Sequence, residues 1–282
     1  MGKYNIGGIK LEFNYYFSQY FEERIKQYQI SDEVKTDYLI NVSVEDNLEL
    51  PNSKLVINHK NKKVYRNDNQ ISVCLFENNT IISIVEYLED YSLVNIRISQ
   101  SYPGNSAEYE YIMSGLIFIS IAMLNNMLPI HASAIKFNNQ AVIFSAPSTT
   151  GKSTHANLWI KKWPDITIIN DDKPIITFND NEIRVVGTPW SGKTCLNNNI
   201  SVPLKAIIFL QQANSNYLET LDSKSKITHL MRNIQRPIET QEIDLVMEKI
   251  NILINKIPMY LLHCNISEEA VDVVYQKIYN KD

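Results

Sequence analysis

Several groups of residues in this chain have the types and spacing for phosphoryl chemistry. Residues 141–155 read AVIFSAPSTTGKSTH, an apolar strand and a hydroxyl-rich turn ending on Gly-Lys-Ser-Thr. A phosphate-binding loop needs a turn of small residues whose N–H groups converge on phosphate oxygens. It also needs a Lys for the β- and γ-phosphates and a Ser or Thr for Mg²⁺, with a helix starting at the Lys. Ala146, Pro147, Ser148, Thr149, Thr150, Gly151, Lys152 and Ser153, followed by Thr154, supply everything but the first glycine, whose place Ala146 holds. Alanine is the smallest substitute and serves wherever the backbone does not need a positive φ. A bare Gly-Lys-Ser recurs by chance; the strand before it and the amphipathic STHANLWIKKW after it make the pattern specific. The competing reading is a degenerate loop that binds nothing.

The second group lies 19 residues beyond Lys152, where DITIINDDKPII places Asp171 and Asp172 at the exit of an apolar strand. A carboxylate there sits where the metal of a phosphoryl-transfer site is held. Two adjacent carboxylates suggest two tasks: Asp172 holds Mg²⁺ with Ser153, and one of the pair accepts the proton of an attacking hydroxyl. Without the loop, an Asp-Asp turn closed by Lys173-Pro174 would be explanation enough.

The remaining candidates are less tied to one pattern. GTPWSGKT, Gly187 to Thr194, repeats a Gly-Lys-Thr but lacks the following apolar helix, because CLNNNISVP breaks at Asn and Pro. Trp190 is expected to pack on nucleotide or substrate and Lys193 to contact phosphate or acceptor; a turn stapled by a half-buried Trp is the alternative. Arg232 and Arg236 in HLMRNIQRP are candidates for closing on phosphate charge, or simply an exposed helix face. His131 alone would be a satisfied core histidine, and His155 an ordinary helix residue.

The elements that must position these groups fall into two textures. Residues 1–104 hold Val-, Ile- and Tyr-rich runs (YLINVSV, KLVINHKNKKVYRNDNQISVCLF, TIISIVEYL, SLVNIRIS) punctuated by Asn and Asp, which predicts antiparallel strands and one helix within residues 15–30. This half reads as a smaller β-rich α+β module, accessory or substrate-facing. SYPGNSAEYE reads as a boundary loop with Ser106 as N-cap of a long helix ending near Asn126. Residues 105–282 then alternate strand-like and helix-like pieces: an α/β domain with a mixed sheet and flanking helices, including helices over 151–162, across 223–256 and over 267–279.

Composition narrows the classes. A chain of 282 residues with 44% hydrophobic content can bury two modest cores, and a net charge of −4 gives no general pull toward nucleic acid or anionic lipid. Three scattered cysteines without Cys-x-x-Cys spacing argue against a disulfide framework or a zinc site. The opening MGKYNIGGIKLEF lacks the apolar core of a signal peptide, and IMSGLIFISIAML falls short of the roughly 20 residues of a membrane span. A cytoplasmic protein with no membrane and no nucleic-acid partner is expected.

Together, PIHASAIKFNNQAVIFSAPSTTGKST and IINDD resemble the catalytic core of the HPr kinase/phosphorylase family, which shares its phosphate loop with the phosphoenolpyruvate carboxykinases. In that family a His precedes the loop by a strand-turn-strand unit and an Asp-Asp pair closes the following strand. His131 lies 15 residues before Ala146, and Ser148, Gly151, Lys152 and Ser153 fall on the matching loop positions. Ala146 and Thr149 replace two family glycines, and Thr154 stands where an acid is usual. The family's downstream loop is not recognisable, which looks more like the divergent members found among peptide-modification and other specialised gene sets. The resemblance implies a P-loop kinase domain using ATP or GTP with Mg²⁺, with Lys152, Asp171, Asp172 and His131 catalytic. Its acceptor would be a hydroxyl of a peptide, a protein or a small molecule. The family's oligomeric habit makes a homo-oligomer compatible with this reading. Two rivals are a nucleotide-gated peptide- or protein-binding module without phosphotransfer, and a carboxykinase-like enzyme acting on a small acid.

Overall fold

A computed structural model describes residues 2–147, 150–179, 182–234 and 240–280. The chain separates into two compact units, residues 1–121 and 122–282. This division falls inside the long helix, whereas the sequence reading places it in the loop before that helix.

The first unit is built on strands β1 (Gly2–Ile6), β2 (Ile9–Asn14), β3 (Tyr38–Glu45), β4 (Lys54–His59), β5 (Lys62–Asn67), β6 (Gln70–Glu77), β7 (Thr80–Leu88) and β8 (Leu93–Ser99). They form one sheet in the order β1-β2-β3-β8-β7-β6-β5-β4. The sheet is mixed rather than antiparallel, because β3 runs parallel to both β2 and β8. The crossover from β2 to β3 makes the parallel step possible, a long-range pairing that local patterning does not encode. Helix α1 covers only Glu22–Ile25, followed by a 3₁₀ turn over Lys26–Tyr28. It falls within residues 15–30, where the sequence places one helix, but is a single turn with no side chain capping its start. The surrounding aromatics instead pack as a cluster, with the Phe13 and Phe21 rings 4.9 Å apart and Phe21 and Tyr111 5.6 Å apart. Helix α2 (Ser106–Leu124) buries Glu110, whose carboxylate accepts the N–H groups of Tyr16 and Phe17 at 2.6 and 2.8 Å. Burial raises that carboxyl's pKa to about 7. Among the described residues α2 alone is long and apolar enough to cross a membrane, but two thirds of its most apolar stretch is buried inside the protein.

The second unit comprises β9 (Met127–Pro129), β10 (Ala132–Phe137), β11 (Gln140–Ser145), α3 (Lys152–Lys162), β12 (Thr167–Asn170), β13 (Ile175–Asn179), β14 (Glu182–Val186), β15 (Ser201–Gln212), β16 (Tyr217–Thr220), α4 (Ser223–Asn233), α5 (Thr240–Lys256), β17 (Met259–Cys264) and α6 (Glu269–Tyr279). Its sheet runs β12-β10-β11-β15-β14-β13-β9, with β17 beside β15 and β16 beside β17. The long β15 joins two regimes: it is antiparallel to β14 at its start and parallel to β11 and β17 further on. Alternation along the strands gives each face its cover. Val142, Phe144, Ile208 and Leu210 meet Trp159 of α3 and Val271 and Val274 of α6 in one core. Phe209, between two of these on β15, turns the other way, and His229 of α4 stacks on it at 4.7 Å. The three parallel strands therefore end together, and ligand sites in such sheets form at those carboxyl ends.

Candidate functional site

β11 ends at Ser145, and α3 begins seven residues later at Lys152. The helix is entered through Gly151 at φ 109°, a left-handed conformation that glycine adopts without strain. Gly151 also accepts the N–H of His155 at 2.8 Å, closing the first helical turn. No acidic residue sits in that turn, so the positive helix end is not countered from within it. Lys152 is 8% exposed and folds back on the loop, its Nζ donating to the carbonyls of Ala146 (3.0 Å) and Pro147 (3.4 Å). Burial lowers its pKa from the ordinary lysine value, opposed by the charges of Asp172 and Asp171. The lysine is thus within electrostatic reach of both carboxylates.

The two carboxylates occupy different surroundings. Asp171 is buried; Ser133 Oγ donates to its Oδ1, while its Oδ2 is buried with no partner in the protein. Register explains the contact: Ala134 of β10 pairs with Asn170 of β12, which brings the preceding Ser133 level with Asp171. Asp172 is partly exposed. Its Oδ1 lies 3.4 Å from His131 Nε2 and its Oδ2 lies 3.8 Å from Lys173 Nζ. Burial, followed by the charge of Lys152, holds the His131 pKa below its ordinary value despite Asp172, so the ring is neutral at pH 7. Its backbone is tied on both sides, its N–H to Asn233 O at 2.7 Å and its carbonyl to Ser145 Oγ at 3.0 Å.

Asn170, fully buried, holds the acidic turn in place. Its Oδ1 accepts the N–H groups of Asp172 (2.8 Å) and Lys173 (2.7 Å), and its Nδ2 donates to the Thr188 carbonyl at 2.8 Å. Thr188 Oγ1 donates to Lys173 O at 3.0 Å, completing a clamp between this turn and the loop after β14. That loop runs against the acidic pair: a methyl group on Gly192 would lie 3.1 Å from Asp172 Cβ.

Two clefts flank the loop after β11. One of about 450 Å³ is lined by Ala146, Pro147, Thr150, His229, Arg232 and Asn233. The other, about 640 Å³, is lined by Thr150, Gly151, Thr154, Leu158, Gln212 and Ile266. Gln212 Nε2 donates to Thr150 O at 3.4 Å between them.

The structure thus brings together Lys152, Asp171, Asp172 and His131 and places Arg232 in the cleft beside Ala146, while Thr150, Gly151 and Thr154 face the second cleft. Ser153 sits partly buried in the first turn of α3. Lys193 is exposed next to Gly192, and Trp190 is 2% exposed. Ser148, Thr149 and Arg236 lie outside the described residues. His155, read as an ordinary helix residue, is a core group that accepts the Trp159 Nε1–H at 3.2 Å. Sequence reasoning missed Ser133 and Asn170. An Asn immediately before Asp-Asp is a turn signal that was available, but nothing local marks Ser133.

The fit of a divalent cation rests on the orphaned Asp171 Oδ2, a hard oxygen that a buried site leaves unpaired only at a cost. Among the described residues no cluster of three or more His, Cys, Asp or Glu could hold a metal alone. Mg²⁺ suits such a site, because it takes few protein ligands and keeps phosphate and water oxygens.

Fold and site together define a class: a mixed α/β domain presenting a lysine-headed helix and a carboxylate pair at the carboxyl ends of its parallel strands. Residues 110–278, more than half of the chain, match the family described as "SynChlorMet cassette protein ScmC", and the chain belongs to that family. No curated protein matches the sequence. Among solved structures, the HPr(Ser) kinase/phosphatase from Coxiella burnetii is similar over 45% of this chain and 98% of its own, at 13% identity and a TM-score of 0.27. A likeness that slight carries no argument about activity.

Proposed function

We propose that the protein is a nucleotide-dependent kinase that transfers phosphate from Mg-ATP or Mg-GTP to the hydroxyl of a peptide, protein or small molecule. The observation that carries this reading is the convergence on one sheet end of a buried helix-N-terminal lysine with two carboxylates, one with an unsatisfied buried oxygen. Lys152 neutralises the β- and γ-phosphates after exchanging its loop carbonyls for phosphate oxygens, and the first turn of α3 receives the phosphate. Mg²⁺, when bound, would be held by Ser153 and an acidic oxygen and would neutralise charge on the phosphates. Geometry favours Asp171 for that oxygen, where sequence favours Asp172. Asp172, more open and beside a neutral His131, then orients and deprotonates the acceptor hydroxyl. Arg232 closes on phosphate from α4. Neither nucleic acid nor membrane enters this reading, and the cytoplasm is its natural compartment.

The test is mass spectrometry of candidate acceptors after incubation with the full chain and Mg-ATP. The candidates are peptides and proteins encoded beside this gene, in keeping with the family's description as a cassette protein, and free hydroxy amino acids. Lys152→Ala is expected to abolish transfer, Asp172→Asn to abolish it with nucleotide still bound, and Asp171→Asn to remove the Mg²⁺ dependence of nucleotide binding. Full transfer in all three variants would sink the proposal. Tight nucleotide binding without transfer to any acceptor would favour the gated binding module.

A further inference from the structure

The two edges of the first unit's sheet are treated differently. At β1 the edge is covered: Ile30 N–H donates to Lys3 O at 2.9 Å, Tyr4 bridges to Gln29, and Lys3 Nζ reaches the carbonyls of Asp32 and Val34. At the other edge β4 pairs with β5 alone, and all six of its residues are exposed. Three consecutive apolar residues are among them, Leu55 at 41%, Val56 at 47% and Ile57 at 41% exposed. A strand edge that offers both unpaired backbone groups and apolar side chains is a template for another strand, and stable proteins ordinarily blunt it.

Charge identifies what the edge is built to accept. Residues 50–67 contain Lys54, Lys60, Lys62, Lys63 and Arg66 and no Asp or Glu, in a chain whose net charge is −4. Arg66 is paired with Glu89 at 3.2 Å, while the four lysines have no carboxylate partner among the described residues. Only Lys54 of these lies on β4 itself, and a bulge between Leu55 and Ile57 disturbs the self-complementary register that a second copy of this strand would need. An acidic strand meets Lys54 and the neighbouring Lys60, Lys62 and Lys63 with opposite charge. Beside the β4–β5 turn a depression of about 610 Å³, lined by Lys60, Asn61, Phe76, Glu77 and Ile82 among others, can take one anchoring apolar side chain. A nucleic-acid surface would not need three apolar side chains at the edge itself. We infer that β4 is a docking edge for an extended peptide segment that alternates acidic and apolar residues, bound by strand addition. This inference stands independently of phosphotransfer at the second unit.

The test is fluorescence anisotropy of the full chain with three labelled octapeptides. They are alternating Glu-Val, alternating Lys-Val, and the Glu-Val peptide N-methylated on alternate residues, which keeps charge and side chains but removes strand donors. The Glu-Val peptide is expected to bind at least tenfold tighter than either of the others. Leu55→Glu/Ile57→Glu, at exposed positions, should weaken it at least tenfold with an unchanged melting temperature. Lys54→Glu/Lys62→Glu should shift the preference toward the Lys-Val peptide. Equal binding of the three peptides, or no binding of any, overturns the inference. So does a dimer in solution that the Leu55→Glu/Ile57→Glu variant dissolves, or an oligonucleotide that displaces the Glu-Val peptide.

Discussion

His155 offers a quantitative check on how helix α3 is held. The residue is 3% exposed, its ring meets the edge of Phe144 at 4.7 Å, and its Nε2 accepts the Trp159 indole N–H at 3.2 Å. Burial lowers its pKa from 6.5 to about 4. A histidine with a depressed folded pKa contributes stability that is whole above the unfolded value of 6.5 and is lost as pH falls toward the folded value. For a single site shifted from 6.5 to 4, linkage gives a loss of about 2 kcal/mol at pH 5 and about 3 kcal/mol at pH 4, relative to pH 7. Protonation also removes the acceptor used by Trp159, in the turn that begins at Lys152. The assay is urea unfolding of wild type and His155→Gln from pH 7 to pH 4, since the amide oxygen can still accept from the indole. The wild-type-minus-variant stability should fall by those amounts. A difference that stays flat across this range, or an NMR titration of the His155 ring centred near 6.5, would refute the reasoning.

Three further outcomes follow from the same geometry. Ser133→Ala leaves a buried carboxylate without its donor and should cost about 2 kcal/mol in chemical unfolding while lowering transfer, with Ser133→Thr restoring part of both. Gly187→Ala would place a methyl 2.1 Å from Asn198 O and 2.6 Å from Ile169 O, both backbone. It should destabilise by more than about 2 kcal/mol, read as a lowered melting temperature. Transfer should fall on the acid side as pH drops through the lowered pKa of His131, and His131→Gln should flatten that limb in a kcat/KM profile against pH.

Much of the candidate site's inventory was legible because a phosphate-loop pattern is local. A strand, a short turn, Gly-Lys-Ser and a helix are consecutive in the chain, so spacing alone marks Lys152 and the start of α3. Asp171 and Asp172 were legible for a similar reason, standing at the end of an apolar run before Lys173-Pro174. The strands of both units were largely legible from β-branched runs. The Gly7-Gly8 turn joining β1 to β2 was a hairpin signal left unread.

What the chain by itself determined was therefore the menu: which residues are candidates for phosphate and proton contacts, and where strands and helices start. Tertiary structure decided how the menu is used. The pairing of Ala134 with Asn170 joins segments far apart in sequence, and that register alone puts Ser133 on Asp171 and leaves one carboxylate oxygen unsatisfied. Enclosure by other segments buried the Trp190 side chain and made His155 a depressed-pKa core group. Strand order made β3 parallel to its neighbours and left β4 as an open edge. The physical reason is the same throughout: periodicity and turn chemistry act over a few residues, whereas burial and register depend on contacts that exist only once the whole sheet has assembled.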